Sequence, residues 1–295
     1  MTQHITAHRA NLIGSLWMVA AMAGFAVEDA LIKAAALTMP SGQIMVLFGL
    51  GGAVVFAGLS LIRRAPLFHA AVISRPMLIR SVFEVVGRLF YVLAITLTPL
   101  SAATVILQAT PVVVVAAAAL LFGERVGWRK WMAIAIGLAG VLMIVQPGSE
   151  GFSLLSVLAV IGMLGFAGRD LASRAAPASL GTLALGFYGF LAILLAGVIF
   201  AIVQGQQFVW PGPSTALILL AIVLAGAAAY SCLMRAMRTG EVGAVTPFRY
   251  SRLLFGIAIG VGYFGERFSL PMALGSALIV LAGLFLLWRG KGTRR

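Results

Sequence analysis

The chain has 295 residues, 62% of them hydrophobic and only 10% charged, with a formal net charge of +13. Soluble domains carry about 25% charged residues, so a water-covered fold is excluded, and a mean hydropathy of +1.08 places the chain in a bilayer. The positive charge does not indicate nucleic acid, because the bases are scattered between apolar runs and form no long basic tract.

A helix needs roughly 20 apolar residues to cross about 30 Å of hydrocarbon, and by that measure ten spans follow one another. The first, 12–36, begins after Arg9 like a signal peptide, but its apolar run continues through Glu28, Asp29 and Lys33, so it reads as a retained span. The second covers 43–62. The connection "RRAPLFHAAVISRP" at 63–76 is the longest and leaves no room for a soluble domain. The third, 77–98, carries Arg80, Glu84 and Arg88; the fourth, 101–122, contains Gln108, Thr110 and Pro111 and is followed by Glu124. The fifth is 128–146, and the sixth, 154–175, holds Arg169, Asp170 and Arg174. The seventh is 180–203, and the eighth, 215–238, contains the single cysteine, Cys232, which can form no internal disulfide. The ninth, 243–264, contains Pro247, Arg249, Tyr250 and Arg252; the tenth is 269–288. Pro111 and Pro247 each remove a helical hydrogen bond, as a hinge or as a fixed kink. Glycine and alanine runs permit close helix packing, and tryptophans near span ends suit interfacial anchoring.

Lysine and arginine fall almost entirely on one side. Arg9, Arg63, Arg64, Arg75, Arg125, Arg129, Lys130, Arg174, Arg235, Arg238 and the basic tail share the side of both termini, whereas Lys33 and Arg267 lie opposite. The expected location is therefore the cytoplasmic (inner) membrane, multi-pass, with both termini cytoplasmic.

The sequence repeats itself. "MAGFAVEDALIKAA" from Met22 returns as "MLGFAGRDLASRAA" from Met163, "FGERVGWRKW" at 122–131 as "FGERFSLPMA" at 264–273, and "LAGVLMIV" at 138–145 as "LAGLFLLW" at 281–288. The offsets of 141, 142 and 143 residues are nearly gapless. Five spans per half is an odd number, so the second half enters the membrane from the opposite side. The expected fold is an all-α polytopic membrane protein of ten transmembrane helices, built as two inverted five-helix repeats, 1–147 and 148–295. Such repeats recur in secondary transporters, with the substrate site near the midplane.

Two five-span halves, an arginine opening the third span (Arg80), a proline within the fourth (Pro111) and a glutamate closing it (Glu124, with Glu266 in the second half) resemble the EamA-type transporters of the drug/metabolite transporter superfamily. The resemblance covers essentially the whole chain. It implies a ten-helix inverted-repeat transporter with a central cavity for small organic metabolites, often amino acids or related compounds. One departure stands out: "VILQATP" at 105–111 is answered by "PFRYSRL" at 247–253, which introduces Arg249 and Arg252 and loses the matched proline.

Charge inside a span costs on the order of 2.5–3.5 kcal/mol by insertion scales and marks a site by default. Helical spacing offers local pairs: Asp29 with Lys33, Asp170 with Arg174, and Arg80, Glu84 and Arg88 on one face. Asp29, Lys33, Asp170 and Arg174 are thus candidates for ion pairs or gates. Glu28 has no base four residues away and Arg169 as its repeat mate, while Arg249 and Arg252 have no acid nearby in sequence. Glu28 could meet Arg249 or Arg252 across the bundle, or bind a substrate amine or a proton. The candidate substrate- or proton-binding residues are Glu28, Glu84, Arg88, Gln108, Arg169, Arg249, Tyr250 and Arg252.

The three histidines, His4, His8 and His69, lie outside the spans, and no HExxH or GxSxG pattern occurs. Neither an enzyme, a cofactor nor a metal site is indicated. The partners expected are a small-molecule substrate and the lipid bilayer, with a homodimer left open and no nucleic acid. The expected function is secondary transport of an amino-acid-like metabolite by alternating access, in the export direction. Uptake of a cationic or zwitterionic metabolite such as S-adenosylmethionine is the alternative, and a channel the alternative of another class.

Overall fold

The structure is a computed structural model that describes residues 2–68, 70–122, 127–145, 154–174, 180–205, 207–239 and 245–290. Glu124, Arg125 and His69 lie outside the described residues. Those described are helical or in short connections, as hydrocarbon requires of a backbone that must satisfy its own hydrogen bonds. The helices are α1 (Thr2–Ala35), α2 (Ser41–Arg63), α3 (Arg75–Leu97), α4 (Leu100–Leu107), α5 (Thr110–Phe122), α6 (Trp128–Val145), α7 (Ser156–Arg174), α8 (Thr182–Gln204), α9 (Pro213–Thr239), α10 (Ser251–Gly262) and α11 (Leu270–Gly290). Two 3₁₀ turns, Ala70–Ile73 and Thr246–Tyr250, precede α3 and α10.

Two expected spans are broken, and at matching places. The fourth divides into α4 and α5 at Gln108–Ala109, whose amides reach back only three residues, to Val105 and Ile106 at 3.0 Å each. Pro111 has no N–H for the carbonyl of Leu107, and the hydroxyl of Thr110 donates to that carbonyl instead at 2.6 Å. The ninth is a 3₁₀ turn over 246–250 followed by α10. With the repeat offset of 142, Gln108 corresponds to Tyr250, the residue at the second break.

Four helices are long and apolar enough to cross a membrane by length and composition: Arg9–Ala35, Ser41–Arg63, Thr182–Gln204 and Pro213–Ala236. The others fall short of that measure for visible reasons. α3 and α7 carry their charges internally, and the fourth and ninth segments are interrupted.

The main packings are α2 on α8, α1 on α9, α3 on α7 and α6 on α11. Where α2 meets α8, Phe190 stacks on Phe56 and meets Phe48 edge-on. Tyr91, Ile95, Leu100 and Ile106 continue the same core. The crossings are close because glycine leaves room. A Cβ on Gly49 would stand 2.7 Å from the Cα of Leu194, and one on Gly162 would stand 3.0 Å from the Cα of Tyr91.

Gly49→Ala should therefore destabilise the protein by about 1–3 kcal/mol through forced separation of α2 and α8. Gly58→Ala, on the same helix with open space at its Cβ, should be neutral or stabilising. Thermal unfolding of both in one detergent checks the contrast, and equal melting temperatures would contradict this account of the α2–α8 contact.

Candidate functional site

α3 presents Arg80, Glu84, Arg88 and Tyr91 along one face, at steps of three and four residues, and all four turn into the bundle. Arg80, Glu84 and Tyr91 are buried. Arg80 Nη2 lies 3.3 Å from Glu84 Oε2. The other oxygen of Glu84 accepts from Arg169 Nη1 of α7 at 3.1 Å. Arg169 also forks onto Asp170 Oδ1 through Nε and Nη2, at 3.0 and 2.9 Å. One turn on, Arg88 Nη1 donates to Glu28 Oε1 of α1 at 2.9 Å. The Tyr91 hydroxyl donates to Asp29 Oδ2 at 3.0 Å, and Arg252 Nη2 of α10 reaches the same oxygen at 2.5 Å. Aromatic faces support the guanidinium groups: Phe166 lies 4.7 Å from that of Arg169, and Phe25 lies 5.3 Å from that of Arg252.

These contacts correct several pairings expected from helical spacing. Arg80 and Glu84 pair as expected. Lys33, however, does not pair with Asp29: its Nζ donates to the Thr98 carbonyl at 2.6 Å and lies 3.3 Å from Glu266 Oε1. Asp29 is held by Tyr91 and Arg252. Asp170 accepts from its neighbour Arg169; its expected pairing with Arg174 falls on a side chain outside the described residues. Glu28 is neither unpaired nor matched with Arg249 or Arg252; Arg88, on the same face of α3 as Glu84, reaches across to it. Arg252 has an acid after all, and Arg249 acts electrostatically on Asp170. Apart from Arg169–Asp170, the reason is shared: Glu28–Arg88, Glu84–Arg169 and Asp29–Arg252 join residues 60, 85 and 223 positions apart. Tyr91, Ser101 and Glu266 join these networks without having been expected there; Tyr91 carries no sequence signal distinguishing it from a core aromatic.

The pairing is incomplete at atomic level. Glu28 Oε2, Asp29 Oδ1, Arg88 Nε, Arg252 Nε, Gln108 Nε2 and the Tyr250 hydroxyl are buried without a hydrogen-bond partner. Buried polar atoms are normally satisfied, so Glu28, Asp29, Arg88 and Arg252 keep spare acceptors and donors within one set of contacts, whereas the Tyr250 hydroxyl is directed at Gly283 of α11. Gln108 and Tyr250 sit at the two helix breaks. The cluster thus joins α1, α3, α7 and α10, from both halves of the chain, and can receive groups of either charge.

Glu266, in the connection before α11, forms a separate site. It accepts from the Leu100 amide at 2.6 Å and from the Ser101 amide and hydroxyl at 2.9 and 2.6 Å. Burial raises its carboxyl pKa, but the Ser101 and Leu100 hydrogen bonds and Lys33 outweigh burial and hold it below the ordinary carboxylate value. Its stabilising contribution is therefore complete above the ordinary value and disappears only as pH falls through the depressed one.

Comparison with known proteins agrees with this architecture. The model of the EamA-like transporter family matches the chain twice, over residues 12–146 and 154–289. The chain belongs to the EamA-like transporter family. EamA-like transporters are integral membrane proteins that move small metabolites. Similar proteins include a riboflavin transporter of Rhizobium johnstonii, 26% identical, covering 94% of this chain and 91% of the relative. The pseudopaline exporter CntI of Pseudomonas aeruginosa is 29% identical, with 95% and 97% covered. An S-adenosylmethionine uptake transporter of Rickettsia prowazekii is 23% identical, with 74% of each chain covered. A crystal structure with a TM-score of 0.64 and 22% identity covers 95% of this EamA-like chain and is itself covered to 98%, which shows the shared fold.

Asp29→Asn leaves the Arg252 charge buried beside a neutral amide and should cost roughly 3–5 kcal/mol. Arg252→Gln added to Asp29→Asn should recover part of that loss, whereas Lys33→Met added to it should not. Melting temperatures of the single and double variants test the assignment; rescue by the lysine change instead of the arginine change would refute it.

Proposed function

We propose that this EamA-like protein is a secondary transporter that exports a small amino-acid-like metabolite by alternating access, binding it at the Glu28–Arg88–Asp29–Arg252 cluster. The observation that carries the reading is that cluster's set of unsatisfied buried atoms, acidic and basic, between two helix breaks that correspond under the repeat. A zwitterion matches it: Arg88 and Arg252 face a carboxylate, and Glu28 and Asp29 face an amine, with Gln108 as a neutral partner. Glu84, Arg169 and Asp170 support the cluster on one side. The 29% identity to an exporter of pseudopaline is consistent with the direction.

The working arrangement is two inverted five-helix repeats in the cytoplasmic membrane, with both termini cytoplasmic. The twofold family match supports it. So do the packings: the repeat equates α1 with α7 and α3 with α9, making α1–α9 and α3–α7 counterparts, while α2–α8 and α6–α11 are each their own counterpart. A second reading, uptake of a cationic metabolite such as S-adenosylmethionine, draws on the free oxygens of Glu28 and Asp29 and on the Rickettsia relative.

A thermal-shift screen of purified protein against metabolites separates the two, since a ligand at 100 times its dissociation constant stabilises by about 2.7 kcal/mol. Hits then enter proteoliposome flux in both directions. Zwitterions that neither stabilise the protein nor cross the membrane would sink the first reading.

Glu28→Gln should abolish net transport or its pH dependence over roughly pH 5.5 to 8, if this carboxylate exchanges a proton or an amine. Because it also uncouples Arg88, the variant is compared with Glu28→Gln/Arg88→Gln, which restores charge balance. Normal flux with an unchanged pH profile in Glu28→Gln would make the carboxylate structural.

For topology, single cysteines at Pro66 and Gly290 in a Cys232→Ser background should be shielded from impermeant thiol reagents in intact cells, and one at Gly212 labelled. The reverse pattern would invert the orientation.

A further inference from the structure

Three segments meet on one carboxylate at the end of the bundle away from α4's break. α4 starts after Pro99 and has no side-chain cap of its own. Its first amides, on Leu100 and Ser101, are those that every helix leaves unpaired. Glu266 fills that role from 166 residues away, with a charge that favours a helix N-terminus. Lys33, near the end of α1, lies 3.3 Å from Glu266, donates to the Thr98 carbonyl at 2.6 Å, and sits 5.3 Å from the ring of Phe264. The fit requires glycine opposite: a Cβ on Gly260 would stand 2.5 Å from Glu266 Oε2. The Glu266 amide in turn donates to the Gly260 carbonyl at 3.0 Å, which fixes the corner.

The position of this contact suggests its purpose. α4 runs from it to the break at Gln108, and α10 runs to it from the break at Tyr250. One carboxylate therefore joins the ends of both interrupted segments that flank the buried cluster, and Lys33 ties α1, which carries Glu28 and Asp29, to the same point. Separating α4 from the α10–α11 corner requires breaking three charge-assisted hydrogen bonds and one ion pair together.

We propose that Glu266 is a latch: seated on the N-terminus of α4 and countered by Lys33, it holds this end of the transport path closed, and its release lets α4 and α10 part. The latch rests on the alternating-access reading given above. Its repeat counterparts by sequence are Glu124 and Arg174; Glu124 and the side chain of Arg174 lie outside the described residues.

The test reads opening without reading transport. Gln108→Cys in the Cys232→Ser background reports access from two turns inside the latch. An impermeant maleimide is applied to right-side-out and inverted membrane vesicles, and Arg267→Cys identifies the face that carries the latch. Glu266→Ala should raise the labelling rate of residue 108 from that face by about fivefold or more, with a smaller rise for Lys33→Met. An unchanged rate from both faces, in a Glu266→Ala protein that melts with its parent, overturns the proposal. Where Glu266→Ala does not fold, Ser101→Ala serves, since it removes one of the three bonds and should still raise the rate; no rise overturns the latch equally. Saturable flux is measured in parallel on the unaltered protein. Its absence would remove the transport reading, while the labelling ratios still decide whether Glu266 closes this end.

Discussion

A charge cannot remain alone in a bilayer, and the interior of this protein is arranged around that constraint. Every buried carboxylate described has a guanidinium or ammonium partner, and most of those partners come from another helix. Removing one member leaves a charge with no solvent to turn to, which is far more costly than never having had the pair. The ion pairs therefore bind helices that have little hydrophobic reason to associate, since lipid tails are as apolar as their side chains. They also fix where α1, α3, α7 and α10 can sit relative to one another.

Small residues are the complement of that constraint. Arginine and glutamate can meet directly across helices only if the backbones approach closely. On α3 the same stretch that carries Arg88 and Tyr91 packs against α7, where Gly162 leaves no space for a Cβ beside the Tyr91 backbone. Gly226 on α9 lies similarly against Glu28, where an added Cβ would stand 3.0 Å from Oε2. Apolar packing and ion pairing thus come from one geometry. A larger residue at either glycine would displace a charge as well as a helix.

Helix positions were legible in the sequence because length and hydropathy are local properties. The expected 43–62, 128–146 and 180–203 match α2, α6 and α8 to within two residues at each end. The break in the fourth span was half legible: Pro111 announced a lost hydrogen bond, but only the fold shows Thr110 repairing it and Gln108 placed at the turn. Ion-pair partners were not legible. The spacing of Asp29 and Lys33 suits a helical pair, yet each has a stronger partner on another element: Arg252 for the acid, and Glu266 with the Thr98 carbonyl for the base. Arg252 and the Tyr91 hydroxyl, both brought in by the fold, share Asp29 Oδ2 in place of the intrahelical lysine, and no one-dimensional rule ranks a contact 223 residues away against one four residues away.

The two halves share a frame and differ in its contents. At the position where the first half has Leu107, Gln108 and Thr110, the second has Arg249, Tyr250 and Arg252. Glu28 in α1 is likewise answered by Arg169 in α7. These exchanges are complementary: one half adds an acid beside Asp29 where the other adds a base beside Asp170, and the arginine added at 252 is the one that holds Asp29. A symmetric pair of acidic helices would have repelled each other across the bundle. The arginine at 169 instead meets Glu84 and Asp170, so each base that departs from the repeat answers an acid while both helix breaks stay in place. The departure from the repeat is therefore part of what allows Asp29 and Glu84 to be buried at the centre as charges, since Arg252 and Arg169 are the bases it supplies.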